Sequence, residues 1–428
     1  MAYDIVPSIT TIIETFRPNL RQFESKYKDI HAHPELSCRE ENTAAVATKH
    51  LETLSFETWR NVVGHGVVGV LKNGPGSTVL LRAELDALPI LEQTGLPYAS
   101  KHHMLDSWGV QRPVMHACGH DMHMACLMAA ATTLESAKFS WRGILIALFQ
   151  PNEEYTCGAQ AMIDDGLYNK VPIPDVILGQ HSIPMRAGRV TIGERPVLVA
   201  ADTITIRIFG GLGDTANPSH IANPIVLGSK MILRIQSIRD QEISQDEFAV
   251  ITCSAFHAGN LGNDVLESAE LKLDVKTYDP DLRETIYSAI KLIVNTEARA
   301  AGVAKMPDIE RSIRAPLTSN SPDVAAKLWD GFRAHFNDMA GVQERRHACE
   351  NFSILATSRG RPYAFWFFGR VDPYEWDKAE KHGNLEQIAN DHSPFNALAI
   401  HPTLGTGSDA LAVAALKYFE LIAGGLRL

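Results

Sequence analysis

A chain of 428 residues with 45% apolar and 21% charged side chains has the make-up of ordinary globular sequence, and its length exceeds what one hydrophobic core usually serves. A formal charge of −10, with Lys and Arg nowhere in a run, excludes nucleic acid and an anionic membrane as main partners and leaves a small molecule. The six cysteines show no pairing pattern, residues 1–20 carry no signal-peptide pattern, and no apolar run reaches membrane-spanning length, so a reducing, cytoplasmic setting is expected.

Apolar periodicity predicts amphipathic helices over residues 8–28 and 42–54, the second with Asn42 as its N-cap. Between them lies His31-Ala32-His33-Pro34-Glu35-Leu36, where Pro34 forces an extended turn and favours packing or hydrogen bonding over metal ligation for both histidines. Strands are predicted at 67–71 and 78–83, separated by the turn Asn73-Gly74-Pro75-Gly76. The second runs into Arg82-Ala83-Glu84-Leu85-Asp86-Ala87-Leu88-Pro89, which sets two carboxylates where a strand ends. In an open α/β sheet that position borders the binding crevice.

Met115-His116-Ala117-Cys118-Gly119-His120-Asp121-Met122-His123 concentrates a thiol, three imidazoles and a carboxylate around a glycine that permits a tight fold. Zinc accepts this donor mixture, and manganese, cobalt or nickel also occupy such sites. Without a metal, the same stretch reads as a turn entering a helix whose histidines cap or pack. His123, at the start of an apolar helix over 124–134, is expected to be structural, His116 is open to either role, and Cys126 and Cys157 are expected to be buried thiols. The apolar run 144–149 predicts a strand buried on both faces, ending in Gln150-Pro151-Asn152-Glu153-Glu154. Adjacent acids at the end of a buried strand call for a balancing cation. A short strand at 176–178 ends in Gly179-Gln180-His181. Three strand ends thus deliver chemistry in order, the pattern of one catalytic crevice.

From residue 198 the texture changes. A strand at 203–209, a helix opened by the Asn223-Pro224 cap and running to 238, strands at 248–256 and 269–278, a helix over 282–298 and a strand near 309–314 give the order βαββαβ. The expected fold class is α/β: a large catalytic domain (1–197 and 317–428) with a mixed central sheet flanked by helices, and an inserted α+β ferredoxin-like domain (198–316).

Met115 to Asp121, Phe149-Gln150-Pro151-Asn152-Glu153-Glu154, Gly179-Gln180-His181 and His392-Ser393-Pro394-Phe395 together resemble, in that order, motifs of the metal-dependent amidohydrolases. These include aminoacylases, hippurate hydrolases and the plant enzymes that cleave indole-acetyl amino acids, within the wider aminoacylase and carboxypeptidase metallopeptidase group. His33-Pro34-Glu35-Leu36, Arg82 to Pro89 and His257-Ala258-Gly259 are similar to further signatures, so the likeness spans about residue 29 to the carboxyl end. The resemblance implies two divalent ions, zinc or manganese with cobalt or nickel as alternatives, held by Cys118, His120, Glu154, His181 and His392. It implies Glu153 as catalytic acid and base, and the inserted domain as a lid that also forms a homodimer. His392 alone would read as a surface histidine, and only the ordered set makes it a ligand.

The match weakens in the inserted domain. Where the family has a histidine that holds the substrate carbonyl oxygen, the run Gly210 to Pro218 places Asp214, an anion that would oppose a developing oxyanion, with His220 as an alternative donor. Asn263 keeps a substrate-contacting asparagine, but Asp264-Val265-Leu266 replaces the usual continuation. Lys276 stands for an arginine whose two-pronged grip it cannot reproduce, and Asn351 stands for an aspartate. The function expected is hydrolysis of the amide bond of an N-acyl amino acid or related small amide. The alternatives are an amide-forming or cyclising enzyme with a rewritten lid, and a silent binding protein, against which the full donor set argues.

Overall fold

The Val-, Leu- and Ile-rich runs of the larger unit pair into one sheet whose central strands are buried on both faces. In spatial order the strands are Glu57–Val62, Gly66–Asn73, Trp141–Gln150, Thr78–Glu84, Val176–Arg186, Tyr363–Val371, Val190–Ile192 and Ala340–Val342, with Glu420–Leu421 also paired to Trp141–Gln150. The four from Trp141–Gln150 to Tyr363–Val371 run parallel, with antiparallel neighbours on both sides, so the sheet is mixed. The computed structural model describes residues 6–210, 222–241, 243–259 and 267–426. Its two units are Met1–Val197 with Ser319–Arg345 and Asn351–Leu428, and Leu198–Thr318 with Arg346–Glu350.

Chain direction across the larger sheet decides where a site can form. From Thr78–Glu84 the chain passes to Trp141–Gln150 on one side, then to Val176–Arg186 on the other. The reversal leaves a crevice beyond the carboxyl ends of these strands, the place where open α/β sheets bind ligands. The helix His120–Ser136 starts there and is buried nearly all round, which its alanines and methionines permit. Each fully buried Leu or Met on it, such as Leu127 and Met128, contributes about 1.5–3 kcal/mol. It packs on Ile400–Leu416 at close range: a Cβ added at Gly407 would stand 2.6 Å from Cys126 Sγ.

Several elements differ from the sequence reading. The helix expected over 8–28 is two, Ile9–Phe16 and Arg21–Ala32, because Pro18 lacks an N–H and drives Arg17 to an extended ψ of 125°. Asn42 does not cap its helix. It sits inside Glu41–Glu52, and the Glu35 carboxylate caps instead, accepting from the backbone N–H groups of Asn42 (3.1 Å) and Thr43 (2.8 Å). The strand expected at 176–178 runs on to Arg186, because Tyr363–Val371 pairs with it past the point where Thr78–Glu84 leaves. The polar edge strand Glu57–Val62 was not anticipated, since its alternation is too weak to show in sequence. Cys157 is exposed, while Cys126 is buried.

In the smaller unit the four described strands pair antiparallel in the order Ala249–Ala258, Ser268–Thr277, Ala200–Phe209, Asp308–Ala315, the split-βαβ arrangement. Ile204, Ile206 and Ile208 share a buried face with Leu271, Leu273 and Val275, covered by Met231 and Ile235 of Pro224–Gln236 and Ile286 and Ile290 of Pro280–Ala300. Asn223 caps Pro224–Gln236 by accepting from Ile225 N–H at 2.9 Å. The returning segment is held here by His347, stacked on Phe248 with ring centroids 4.3 Å apart.

Candidate metal centre

Four segments meet at the carboxyl end of the larger sheet. Gly119 adopts φ 83° to turn the chain into its helix, and a Cβ there would lie 2.7 Å from Ser182 Oγ. That turn presents Cys118 just before the helix and His120 as its first residue. Asn152, at φ 60°, turns the chain after Trp141–Gln150, its N–H donating to Glu40 at 2.8 Å, and so presents Glu153 and Glu154. The Asp86 carboxylate accepts from Glu154 N–H at 2.9 Å and from the Ser37 hydroxyl at 2.7 Å. His181 lies mid-strand rather than at a strand end, but two residues past the last Arg82–Gly179 pairing, level with Glu84. His392 comes from far along the chain. Its N–H donates to the Ala117 carbonyl at 3.0 Å, and Asn396 Nδ2 donates to the same oxygen at 2.8 Å.

The side chains converge as a result. Cys118 Sγ lies 3.4 Å from His181 Nε2, His392 Nε2 lies 3.4 Å from a Glu154 oxygen, and His120 Nε2 lies 3.9 Å from a Glu153 oxygen. Three overlapping groups, Cys118 with His120 and His181, Cys118 with Glu154 and His392, and His120 with Glu153 and Glu154, each have their donor atoms within 4.8 Å of one another. Shared membership of Cys118, His120 and Glu154 links them into one cluster. Asp214, His220 and Asn263 lie outside the described residues.

Hydrogen bonds set the orientation of each ring. His120 Nδ1 donates to the Asp86 carbonyl at 2.8 Å and His181 Nδ1 to the Ser182 carbonyl at 2.6 Å, so both rings turn Nε2 into the cluster. Burial works against charge on His120, but its contact with Asp86 and the charges of Glu84 and Glu154 prevail and raise its pKa to about 10. Yet His120 Nε2 is buried with no hydrogen-bond partner among the described residues. The carboxylates thus demand positive charge at a position where a proton would be stranded, and a divalent cation meets that demand. Burial, then the neighbouring His123, press His181 down to about 3, keeping it a neutral donor. Burial, then Glu154, Asp391 and Glu153, push the Cys118 thiol well above its ordinary range, a shift that a bound cation reverses.

A fourth possible group, Glu84 with His120 and His123, is not free to bind. His123 gives Nδ1–H to Glu84 at 2.7 Å and accepts the Ser182 N–H at Nε2, 2.9 Å away, so both nitrogens are spent on positioning. Glu84 also pairs with the buried Arg82. His31 is likewise structural, held between Asp121 (2.6 Å) and Glu92 (3.1 Å), whereas His33 is exposed and bonds the Asp29 carbonyl.

Residues 80–394 match the profile of peptidase family M20/M25/M40. The chain belongs to this family. It is 32% identical to a hippurate hydrolase of Campylobacter jejuni over 357 residues, covering 80% of this chain and 87% of that one. It is 33% identical to an N-acyl-L-amino acid amidohydrolase of Geobacillus stearothermophilus over 337 residues, covering 78% and 88%. A Bacillus subtilis structure described as a dinuclear metal-binding peptidase of the M20 family superposes with a TM-score of 0.72 at 24% identity, covering 93% of this chain and 99% of that one. As an M20 family member, the chain is a hydrolase acting on amide bonds.

Three residues of this M20 chain that the sequence reading passed over support the cluster from behind. Ser182 takes His181 at its carbonyl and serves His123 with its N–H. Arg370, 1% exposed, donates to the Ser182 carbonyl and to Asp391, the residue before His392. Glu40, also buried, accepts from the N–H groups of Cys38 and Asn152, and burial followed by the charge of Asp86 raises it to about 7. Only Arg370 carried a sequence signal, a cation inside an otherwise apolar strand.

Proposed function

We infer that the chain hydrolyses the amide bond of an N-acyl amino acid or related small amide at two divalent ions held by Cys118, His120, Glu154, His181 and His392. The placement of the paired glutamates carries this reading. Glu154 has donor atoms in two of the groups, whereas Glu153 belongs to one and reaches to 3.9 Å from His120 Nε2. That leaves Glu153 for proton transfer beside the ligands. The relatives named hippurate hydrolase and N-acyl-L-amino acid amidohydrolase support the substrate class.

The sulfur, nitrogen and oxygen donors suit zinc or manganese, with cobalt or nickel compatible. Once bound, such ions supply Lewis acidity that polarises a carbonyl and acidifies water. Glu153 accepts a proton from the attacking water as its oxygen bonds to the carbonyl carbon, and delivers it to the nitrogen as the C–N bond breaks. His120 and His181 are locked by their Nδ1 bonds, so they stay oriented through the cycle. A cytoplasmic location is supported by six free thiols, and no helix among the described residues is long and apolar enough to cross a membrane. A homodimer through residues 198–316 is supported by the family resemblance.

Replacing Glu153 by Gln removes the proton carrier at nearly constant volume. Hydrolysis of a panel of acyl amino acids, hippurate included, should fall by roughly a hundredfold to ten-thousandfold while metal content stays at the wild-type level. Undiminished hydrolysis would remove Glu153 from the mechanism.

A further inference from the structure

We propose that Arg370 is a positioning residue that couples the two ends of the metal centre, holding the His392 segment in register with His181. This rests on the two-ion reading above. Arg370 stands on the strand Tyr363–Val371 and is 1% exposed. Its guanidinium donates to the Ser182 carbonyl at 3.3 Å, to the Ala389 carbonyl at 3.3 Å and to the Asp391 carboxylate. The Ser182 carbonyl also takes the His181 ring N–H at 2.6 Å, and Asp391 immediately precedes His392. One nitrogen of the guanidinium, Nη1, therefore serves both a ligand-orienting oxygen and the Asp391 carboxylate, while Nη2 reaches the Ala389 carbonyl in the backbone leading to His392, a pair of planar donors that a single ammonium does not reproduce.

The two ends need this help unequally. His181 is held by strand pairing on its own backbone, to Phe367. His392 has φ 63°, lies in an irregular segment, and its side chain is 53% exposed. Loss of the guanidinium should therefore loosen the Cys118–Glu154–His392 group more than the Cys118–His120–His181 group. Arg370 also borders a cavity of about 580 Å³ beside Ala389, Phe395 and Asn396. Truncation would leave space that water fills, so the segment would be released rather than drawn into a new packing.

The test is metal binding by metal-stripped full-length protein. Wild type, Arg370→Met, Arg370→Lys and Asp391→Asn are titrated with cobalt(II), followed by visible absorption and calorimetry, after circular dichroism shows each to be folded. Wild type should take two equivalents. Arg370→Met should bind its weaker equivalent roughly 10–100-fold less tightly, with the tighter one changed by less than about threefold. Arg370→Lys should be intermediate, keeping the pairing with Asp391 but losing the carbonyl contacts. Asp391→Asn carries the same expectation as Arg370→Met should the latter not fold. Two equivalents bound with wild-type affinities by Arg370→Met, or by Asp391→Asn in its place, would overturn the proposal and leave the two-ion reading intact. Fewer than two equivalents in wild type would overturn both.

Discussion

Glu35 is where a single substitution should test how the amino-terminal helices brace the catalytic face. Its carboxylate is 4% exposed and accepts four hydrogen bonds, from Asn42 N–H (3.1 Å), Asn42 Nδ2 (2.7 Å), Thr43 N–H (2.8 Å) and the Thr43 hydroxyl (2.8 Å). In Glu35→Ala, exposed Asn42 can turn to water, but Thr43 is 3% exposed and keeps two stranded donors. Stranding costs about 1–3 kcal/mol per group, and a lost helix cap costs about 0.5–2 kcal/mol. Partial entry of water offsets some of this, so roughly 3 kcal/mol of local stability should disappear.

Because a chain of two units need not unfold in one step, the suitable assay is native-state hydrogen exchange read by mass spectrometry. Amides of Glu41–Glu52 should lose about a hundredfold in protection, while those of Pro280–Ala300 in the smaller unit stay unchanged. Glu35→Gln, which keeps one acceptor oxygen, should lose about tenfold. The same segment braces the site, since the Glu35 carbonyl accepts from Ala87 N–H at 2.8 Å and Ser37 bonds Asp86. A loss of protection below about threefold in Glu35→Ala would show that the four bonds do not hold the helix start, and the reasoning would fail.

Two further outcomes follow from the packing and the buried charges. Burial opposes the charged form of His31, but Asp121 and Glu92 overcome it and raise its pKa to about 9. Its stabilising contribution is therefore complete below its unfolded pKa near 6.5 and drains away as pH rises through about 9. Urea denaturation of wild type and His31→Gln at matched metal content should show roughly 1–3 kcal/mol more pH dependence for wild type between those limits, and parallel profiles would refute the assignment. Gly407→Ala would set a methyl group 2.6 Å from Cys126 Sγ and 2.9 Å from the Phe368 ring, so thermal unfolding should reveal a loss of about 1–3 kcal/mol. Cys126→Ala should recover part of it in the double variant, and strict additivity would argue against this contact as the cause.

Legibility differed by the kind of signal involved. Motifs whose chemistry depends on neighbours in the chain, such as Cys118-Gly119-His120 and Glu153-Glu154, could be singled out because composition and order survive without coordinates. The smaller unit's order of elements was readable for a similar reason: period-2 runs such as Ala200–Phe209 and caps such as Asn223 are local features. Glu35 was hidden, because a cap supplied from six residues before the helix is a through-space contact that the capping rules do not encode. Arg370 stands out in sequence as a cation inside an apolar strand, but its role was hidden because its partners, at 182, 389 and 391, lie on other segments. His116 illustrates a further limit. Burial lowers it to about 4, and neither ring nitrogen has a hydrogen-bond partner among the described residues, although two neighbouring imidazoles have fixed roles.

Hydrophobic period and turn chemistry are properties of short stretches, so the sequence alone determined the fold class and singled out Cys118, His120, Glu153 and Glu154 as donors, while His392 entered the candidate set only through the family resemblance. Whether His181 sat at a strand end or within a strand, which nitrogen of His120 and His181 faced the cluster, and that both nitrogens of His123 were engaged elsewhere depended on partners brought by distant strands. The tertiary structure decided these matters because a hydrogen bond selects one tautomer and one ring orientation only once its acceptor is in place. In this chain those acceptors, the Asp86 and Ser182 carbonyls and the Glu84 carboxylate, are assembled by the parallel strands around the crevice.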